Sequence, residues 1–477
     1  MRKLLMLQPI HIYKRWPMPD DFTRLFMSSL NLSFAQLRSQ LKNYEVEYLD
    51  GTAQECSLKE LTRRAQACDV ILINAYSSVG ALNVEANLRH IIDTCSGKPI
   101  IMGGHHATFY DFQWLGRGAH FIVRNEGEET IVELLDAIFN GGSYSGIKGL
   151  SWRGKDRKFY RNPARELIAD LDKLPIPDWS IFNRELYDLP LPNKGLATSI
   201  ESSRGCGHKC GFCSASKMWG HTQRFKSANR VLEELRFLRS KGFGKLFLVD
   251  DNFGADPKRD IEIYKGMLRE KMDFNFMVFM RSDTVVNSSE AIKLAYKAGL
   301  RIVLLGIESP SKDMLENCNK NSDFEKSKKA VEILRANGIF IAGFFMTGYM
   351  DEKEEDTDLV FNIADTMSDY PFIAIFEPRM GTRDFDRAMK TFDVPGGDMF
   401  YHNTSRFIPS KVHILPKYRS FYRKYLLHPK QISKLLIGTP TQKLWFRGLY
   451  WKMMKSVLSI SLVKISHPWE MVRDIYE

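Results

Sequence analysis

Three cysteines stand close together near the middle of the chain, in Cys206-Gly-His-Lys-Cys210-Gly-Phe-Cys213. Thiolates are soft ligands that suit iron–sulfur clusters or zinc. A closed structural zinc site takes four protein ligands, and no fourth cysteine stands nearby. A [4Fe–4S] cluster held by three cysteines keeps one iron open to bind something else. That suits a redox enzyme better than an electron carrier. The plain alternatives are a zinc knuckle or thiols of the core. Gly205, Gly207 and Gly211 argue for an exposed loop instead.

The spacing C-x3-C-x2-C, with aromatic Phe212 before the third cysteine, resembles the radical S-adenosylmethionine (SAM) enzymes. The resemblance implies that Cys206, Cys210 and Cys213 hold a [4Fe–4S] cluster whose open iron chelates SAM. One electron from that cluster cleaves SAM to methionine and a 5′-deoxyadenosyl radical. An electron donor such as flavodoxin or ferredoxin is implied as a partner.

These residues need strand ends to hold them. Strand-like runs at 197–201, 245–249, 276–280, 302–306, 340–346 and 372–376 alternate with helical patterns. Six βα units predict a partial (β/α)6 barrel, with function at the carboxyl ends of its strands. Those ends carry Asp250-Asp251-Asn252-Phe253, Arg281-Ser282-Asp283, Gly306-Ile307-Glu308-Ser309, Thr347-Gly348-Tyr349 and Glu377-Pro378-Arg379. The resemblance implies that Phe212, Asp250, Asp251, Arg281, Asp283, Glu308 and Ser309 bind SAM. A carboxylate beside the SAM ammonium is physically sensible. Any one of these charges could be a solvated loop residue; their recurrence at successive strand ends argues otherwise. Asp351 and Glu354 fit a helix capping box. The family's Pro-x-Pro-Gly-Thr turn is replaced here by Pro378-Arg379-Met380-Gly381-Thr382. The sequence names no catalytic residue beyond these.

The N-terminal section also alternates. Short apolar runs at 3–7, 44–49, 70–75, 99–102 and 120–123 are separated by helical patterns at 57–67, 83–94 and 130–139. This predicts a parallel sheet covered on both faces, a flavodoxin-like (Rossmann-type) domain. Its ligand would sit at the carboxyl ends of the strands. At those ends lie Gln8-Pro9-Ile10-His11, Tyr76-Ser77-Ser78, Gly103-Gly104-His105-His106 and Arg124-Asn125-Glu126-Gly127-Glu128. Standing before the cysteine motif, this section is similar to the cobalamin-binding domain of B12-dependent radical SAM enzymes. The resemblance implies cobalamin contacts from Ser77, Ser78, Gly103, Gly104, His105, Glu126 and Gly127. The D-x-H-x-x-G pattern that supplies a histidine to cobalt is absent, because His11, His105 and His106 lack a glycine three residues on. Cobalt is therefore expected to have no histidine ligand, and His105 and His106 read as loop histidines. Cys56, Cys68 and Cys95 fall at predicted helix ends and read as core or surface thiols, not as a second cluster site.

Seven cysteines in 477 residues do not suggest a disulfide framework, and an oxygen-sensitive cluster needs a reducing compartment. Pro9 interrupts the first apolar run, no cleavage site follows, and no run is long enough to span a bilayer. A cytoplasmic location is expected, with peripheral membrane contact. The reason is charge: the chain carries +11, and residues 399–469 hold 13 Lys or Arg and no Asp or Glu. On a helical wheel Phe446, Leu449, Tyr450, Met453, Val457 and Ile460 share one face, with Arg447, Lys452 and Lys455 opposite. Such a face could rest on a membrane or pack on the barrel. Nucleic acid is the weaker reading of the charge.

The expected organisation is a cobalamin-binding domain at 1–150, a hairpin and proline-rich linker at 151–193, a radical SAM barrel at 194–382 and a basic, mostly helical segment at 383–477. The expected function is a cobalamin-dependent radical SAM methyltransferase acting on an unactivated carbon through a 5′-deoxyadenosyl radical and methylcobalamin. Its substrate would be a small or lipid-like molecule. The alternative is a cobalamin-dependent oxidative cyclase or rearrangement enzyme without methyl transfer. A cluster-bearing electron-transfer protein is a third class.

Overall fold

The computed structural model describes residues 1–10, 31–54, 56–75, 81–392, 410 and 412–427. The described residues up to Leu186 form one compact unit and those from Tyr187 a second.

In the first unit, β1 (Lys3–Gln8), β2 (Glu45–Asp50), β3 (Val70–Asn74), β4 (Ile100–Gly103) and β5 (Phe121–Val123) are parallel, in the order β2-β1-β3-β4-β5. Leu4, Leu5, Met6 and Leu7 are consecutive and all buried. A strand with both faces covered has no use for alternation, which is why its sequence is a continuous apolar run. Helix Leu58–Ala67 starts where Ser57 accepts the Glu60 amide at 3.2 Å. Helices Ala81–Thr94 and Glu128–Asn140 follow their strands as expected. Helix Leu32–Gln40 was not expected; Asn31 caps it by accepting the Phe34 amide at 3.1 Å.

The hairpin expected in a linker belongs to this sheet. Strand β6 (Leu150–Arg153) pairs antiparallel with β5, and β7 (Phe159–Arg161) pairs with β6. The proline-rich stretch also packs here: the Phe182 ring lies 4.5 Å from Tyr48 and 5.8 Å from Trp179. The division between the two units falls after Leu186, inside the stretch 151–193 expected as a linker.

In the second unit six parallel strands lie side by side in chain order. They are β8 (Leu196–Ile200), β11 (Phe243–Leu248), β12 (Asn275–Arg281), β13 (Leu300–Glu308), β14 (Phe340–Thr347) and β15 (Tyr370–Ile375). Strands β9 (Ser203–Gly205) and β10 (Gln223–Phe225) make a small antiparallel ribbon beyond β8. Ile200, Leu246, Leu248 and Phe276 face Val231, Leu235, Ile263 and Met267 of helices Ala228–Ser240 and Pro257–Arg269. The other face of this half-barrel carries Ala197, Phe247, Met277, Ile302, Leu304 and Ala342 in one apolar core.

Helix Ile414–Leu427 closes the free edge of β15: Tyr422 Oη donates to Pro371 O at 3.1 Å and accepts the Ile373 amide at 3.2 Å. An open edge strand is a template for unwanted pairing. This first part of the basic segment packs on the barrel, with Tyr425 buried. The face predicted at 446–460 lies outside the described residues. Among the described residues no helix is long and apolar enough to cross a membrane.

Candidate active site

Strand β8 leads into the ribbon, and the ribbon delivers the cysteine loop. Gly205 sits at the exit with φ +94°, and a Cβ there would meet Thr222 O of the opposite strand. Only glycine makes that turn without displacing the ribbon. The loop is then pinned on both sides. The Gly211 amide donates to Cys318 O at 2.7 Å, and Gly211 O accepts the Asp384 amide at 3.1 Å. Lys209 O accepts from Asn319 Nδ2 at 2.7 Å. Phe212 packs against Met314, Cys318, Met346, Tyr349 and Phe376, so the aromatic of the motif is an anchor for the loop.

Asp384 is itself held. Thr382 caps helix Arg383–Thr391 by accepting the Phe385 amide at 3.1 Å, and Tyr349 Oη donates to Asp384 at 2.8 Å. Gly381 turns with φ +81°. The Gly-Thr half of the family turn thus keeps a purpose here, which is to bring Asp384 to the cysteine loop.

Cys206, Cys210 and Cys213 are partly exposed free thiols on this loop. Burial pushes the Cys206 thiol up to about 11, so its ionisation is coupled to arrival of a metal. Among the described residues no three His, Cys, Asp or Glu side chains converge as a site for one ion. Three thiolates on a cubane cluster each take a different iron. Soft donors on an accessible, pinned loop at a strand end fit such a cluster.

The strand-end residues divide into two groups. Arg281, at the end of β12, is buried. Its Nε and Nη2 donate to Asp283 at 2.9 and 2.8 Å, its Nη2 to Lys320 O at 2.8 Å, and its Nη1 to Cys210 Sγ at 3.3 Å. Glu308 ends β13 with φ +66°, where the register of β13 against β14 shifts. A non-glycine residue in that region is strained and worth noticing. Its Oε1 meets Lys320 Nζ at 2.6 Å, and both side chains are nearly buried. Asp251 is exposed and accepts the Gly205 amide at 3.1 Å.

Asp250 and Ser309 are engaged elsewhere. Asp250 is buried and accepts from Ser202 N, Ser202 Oγ and Ser203 Oγ at 2.7, 2.7 and 2.5 Å. Asp250 is thus committed to Ser202 and Ser203, while Asp251 beside it accepts the Gly205 amide. Ser309 is buried and its Oγ accepts the Ser311 amide at 3.1 Å. Both brace the loops they belong to.

Sequence reasoning missed Lys320 and a buried ion network, and gave Asn252 a place but no role. Asn252 Oδ1 accepts the Arg281 amide at 3.2 Å. Below the ribbon Lys226, 1% exposed, pairs with Glu234 at 2.9 Å and lies 4.0 Å from Glu201, which Arg204 holds at 2.8 Å. A lysine with carboxylates far away in sequence gives no local signal.

On the inner face of the half-barrel, rings form a row. Phe247 and Phe279 are 5.3 Å apart, Phe279 and Phe344 6.0 Å, and Phe344 and Phe372 4.9 Å and stacked. Phe279, Phe344, Phe372 and Val249 are only partly buried. They pack on the core that also holds Leu189, Leu191 and Tyr425.

In the first unit the strand ends gather amides. Gln8 Oε1 accepts from Asn31 Nδ2 and Asn74 Nδ2, each at 3.1 Å. Asn87 holds the backbone after β1 through Ile10 N at 3.0 Å and Ile10 O at 2.8 Å. Gly104 has φ +102°, and a Cβ there would meet Asn74 Oδ1 at 2.7 Å and Ala75 O at 2.9 Å. Local packing already requires that glycine. Gly103 is open, with only Val123 O at 3.6 Å. Gly127 precedes helix Glu128–Asn140, and Glu126 accepts the Ile168 amide at 2.7 Å. His105 and His106 lie in a helical turn, His105–Phe109, rather than in a loop. His106 is buried, stacks on Tyr110 at 4.5 Å, and accepts from Trp114 Nε1 at 3.0 Å. His105 faces Phe109 at 4.8 Å. Ser77, Ser78 and His11 lie outside the described residues. Partly exposed Gly103 and neutral amides at strand ends fit a large amide-rich ligand such as cobalamin.

Comparison with known proteins agrees with this division. The family model of the radical SAM superfamily matches residues 200–362, and that of the B12 binding domain matches residues 29–135. An uncharacterised methyltransferase of Pyrococcus horikoshii is 29% identical over 364 residues, 75% of this chain and 78% of that protein. The anaerobic magnesium-protoporphyrin IX monomethyl ester cyclase of Rubrivivax gelatinosus is 29% identical over 55% of this chain and 48% of its own length. The chain thus spans about half of that relative. Among solved structures, the cobalamin-dependent SAM radical enzyme OxsB with aqua-cobalamin and SAM superposes with a TM-score of 0.69 at 18% identity, over 96% of this chain and 71% of that one. That likeness is one of fold.

Proposed function

The chain is a B12-binding-domain-containing radical SAM enzyme, and from that premise we propose that it methylates an unactivated carbon of an apolar substrate. Its cofactors are a [4Fe–4S] cluster, SAM and cobalamin, which together supply an electron, a hydrogen-abstracting radical and a methyl group. The protein's part is binding, orientation and exclusion of water.

Cys206, Cys210 and Cys213 would hold the cluster and keep one iron open. Asp251, exposed at its strand end, has the charge and position to accept the SAM ammonium. The Glu308–Lys320 pair offers a carboxylate and an ammonium to the polar parts of the same molecule. Ser77, Ser78, Gly103, Gly104, His105, Glu126 and Gly127 remain the proposed cobalamin contacts, and buried His106, whose Nδ1 accepts from Trp114, is not among them. Asp250, Ser309 and Phe212 would act on SAM indirectly, by fixing the loops.

The observation that carries the substrate class is the row of rings on the inner face of the half-barrel, of which Phe279, Phe344 and Phe372 are only partly buried. Aromatic faces bind large apolar bodies. The relatives named for a methyltransferase and for a protoporphyrin ester cyclase frame the same choice of outcome. An electron donor of the flavodoxin or ferredoxin kind is part of the proposal. So is contact of the basic segment with an anionic membrane surface, from which an apolar substrate would be drawn.

The test is isotopic. Cells expressing the chain and fed methionine with a deuterated methyl group should yield a labelled product in an organic extract of membranes. The Cys206→Ala variant should not. A new product without label supports the cyclase. Label confined to water-soluble products contradicts the apolar substrate and the membrane contact.

A further inference from the structure

Arg281 does something that SAM binding does not require: its Nη1 donates to Cys210 Sγ at 3.3 Å. We propose that Arg281 is a positioning residue that sets the reduction potential of the cluster, holding it within reach of its one-electron donor. The inference rests on the reading that Cys210 is a cluster ligand.

The geometry leaves the guanidinium little freedom. Two bonds to Asp283, at 2.9 and 2.8 Å, fix its plane. A third, to Lys320 O at 2.8 Å, fixes its tilt, and Asn252 holds the Arg281 backbone at 3.2 Å. The remaining nitrogen is thereby aimed at sulfur. Arg281 is 7% exposed, so solvent screens its charge weakly. Asp283 is partly exposed, and the Arg281 guanidinium beside it offsets its burial and holds its carboxyl below the usual range. The pair is therefore charged on both sides.

The step concerned is addition of one electron from an external low-potential carrier to the oxidised cluster. No bond breaks and no proton moves; the cluster and its thiolates gain one negative charge. A hydrogen bond to a ligand sulfur and a nearby positive charge both favour that added charge, and such contacts tune cluster potentials. Arg281 raises the potential, and Asp283 moderates it while fixing the direction.

The test uses full-length chain, reconstituted anaerobically with iron and sulfide, without SAM. Midpoint potentials are read by electron paramagnetic resonance in wild type, Arg281→Gln, Arg281→Lys and Asp283→Asn, each normalised to bound iron. At a fixed poise the reduced-to-oxidised ratio of the cluster in Arg281→Gln should be at least tenfold lower, which is ~59 mV for a one-electron couple. Arg281→Lys should fall between it and wild type, and Asp283→Asn should move in the opposite direction, upward. Equal midpoints across the series overturn the proposal. If Arg281→Gln takes up no cluster, Arg281→Lys decides: a midpoint equal to or above that of wild type overturns it. A wild-type chain that binds no cluster refutes the cluster reading itself, and this inference with it.

Discussion

Lys226 shows how much of the site depends on a residue that does no chemistry. Its ammonium is 1% exposed between Glu234 and Glu201. Leaving a buried charge with no partner costs about 3–5 kcal/mol, but Glu234 also keeps Arg230 Nε at 3.1 Å and Glu201 keeps Arg204 at 2.8 Å, so the cost here is smaller. Lys226→Met should lower unfolding stability in urea by about 1–3 kcal/mol, and the same change at exposed Lys241 should do almost nothing. A loss below about 1 kcal/mol at Lys226 would mean that the arginines alone satisfy both carboxylates. The cysteines were legible because ligand type and spacing are local properties. Lys320 and Lys226 were not, because their meaning comes from carboxylates that only the fold brings near. The hydrogen bonds of Asp250 were not legible for the same reason. Next to Asp251 in sequence it looks like half of a pair, and its three hydrogen bonds appear only when β8 and β11 align.

Strands and helices were read well where burial made their pattern simple. Buried parallel strands are short apolar runs, and all six of the half-barrel were located in the sequence. The hairpin at β6–β7 was also read, but not its pairing with β5, and the short helix His105–Phe109 was read as a loop. Glu352 illustrates how a strand end and a following helix are joined. It is 7% exposed, and it accepts from Thr347 Oγ1 at 2.9 Å and from the Gly348 amide. Burial outweighs these bonds and pushes its carboxyl up from 4.5 to about 7. The folded state therefore binds this proton more tightly than the unfolded chain does. The stability that follows is fully present below pH 4.5 and is lost as pH rises to about 7. Glu352→Gln removes that loss. Its stability relative to wild type should improve between pH 4.5 and 8 by up to ~3 kcal/mol. Parallel curves for the two proteins in denaturant titrations would show that Glu352 titrates normally.

At the scale of the molecule, two units carry two different ligand chemistries. Neutral amides and open Gly103 collect at the strand ends of the first, and thiols and ion pairs at those of the second. Both follow one rule, that parallel sheets present ligands at the carboxyl ends of their strands. That rule made the architecture readable before any contact was known. The substrate class was less readable, because the phenylalanine row is spread over nearly a hundred and thirty residues of sequence, from Phe247 to Phe372. The central claim is that this chain transfers a methyl group, and the fate of SAM tests it most directly. Full-length chain, reconstituted anaerobically with cluster and cobalamin, is given SAM and a strong reductant, and the nucleoside products are separated. A methyltransferase should form both S-adenosylhomocysteine, in amounts comparable to bound cobalamin, and 5′-deoxyadenosine. Formation of 5′-deoxyadenosine with no S-adenosylhomocysteine would contradict methyl transfer and leave the cyclase.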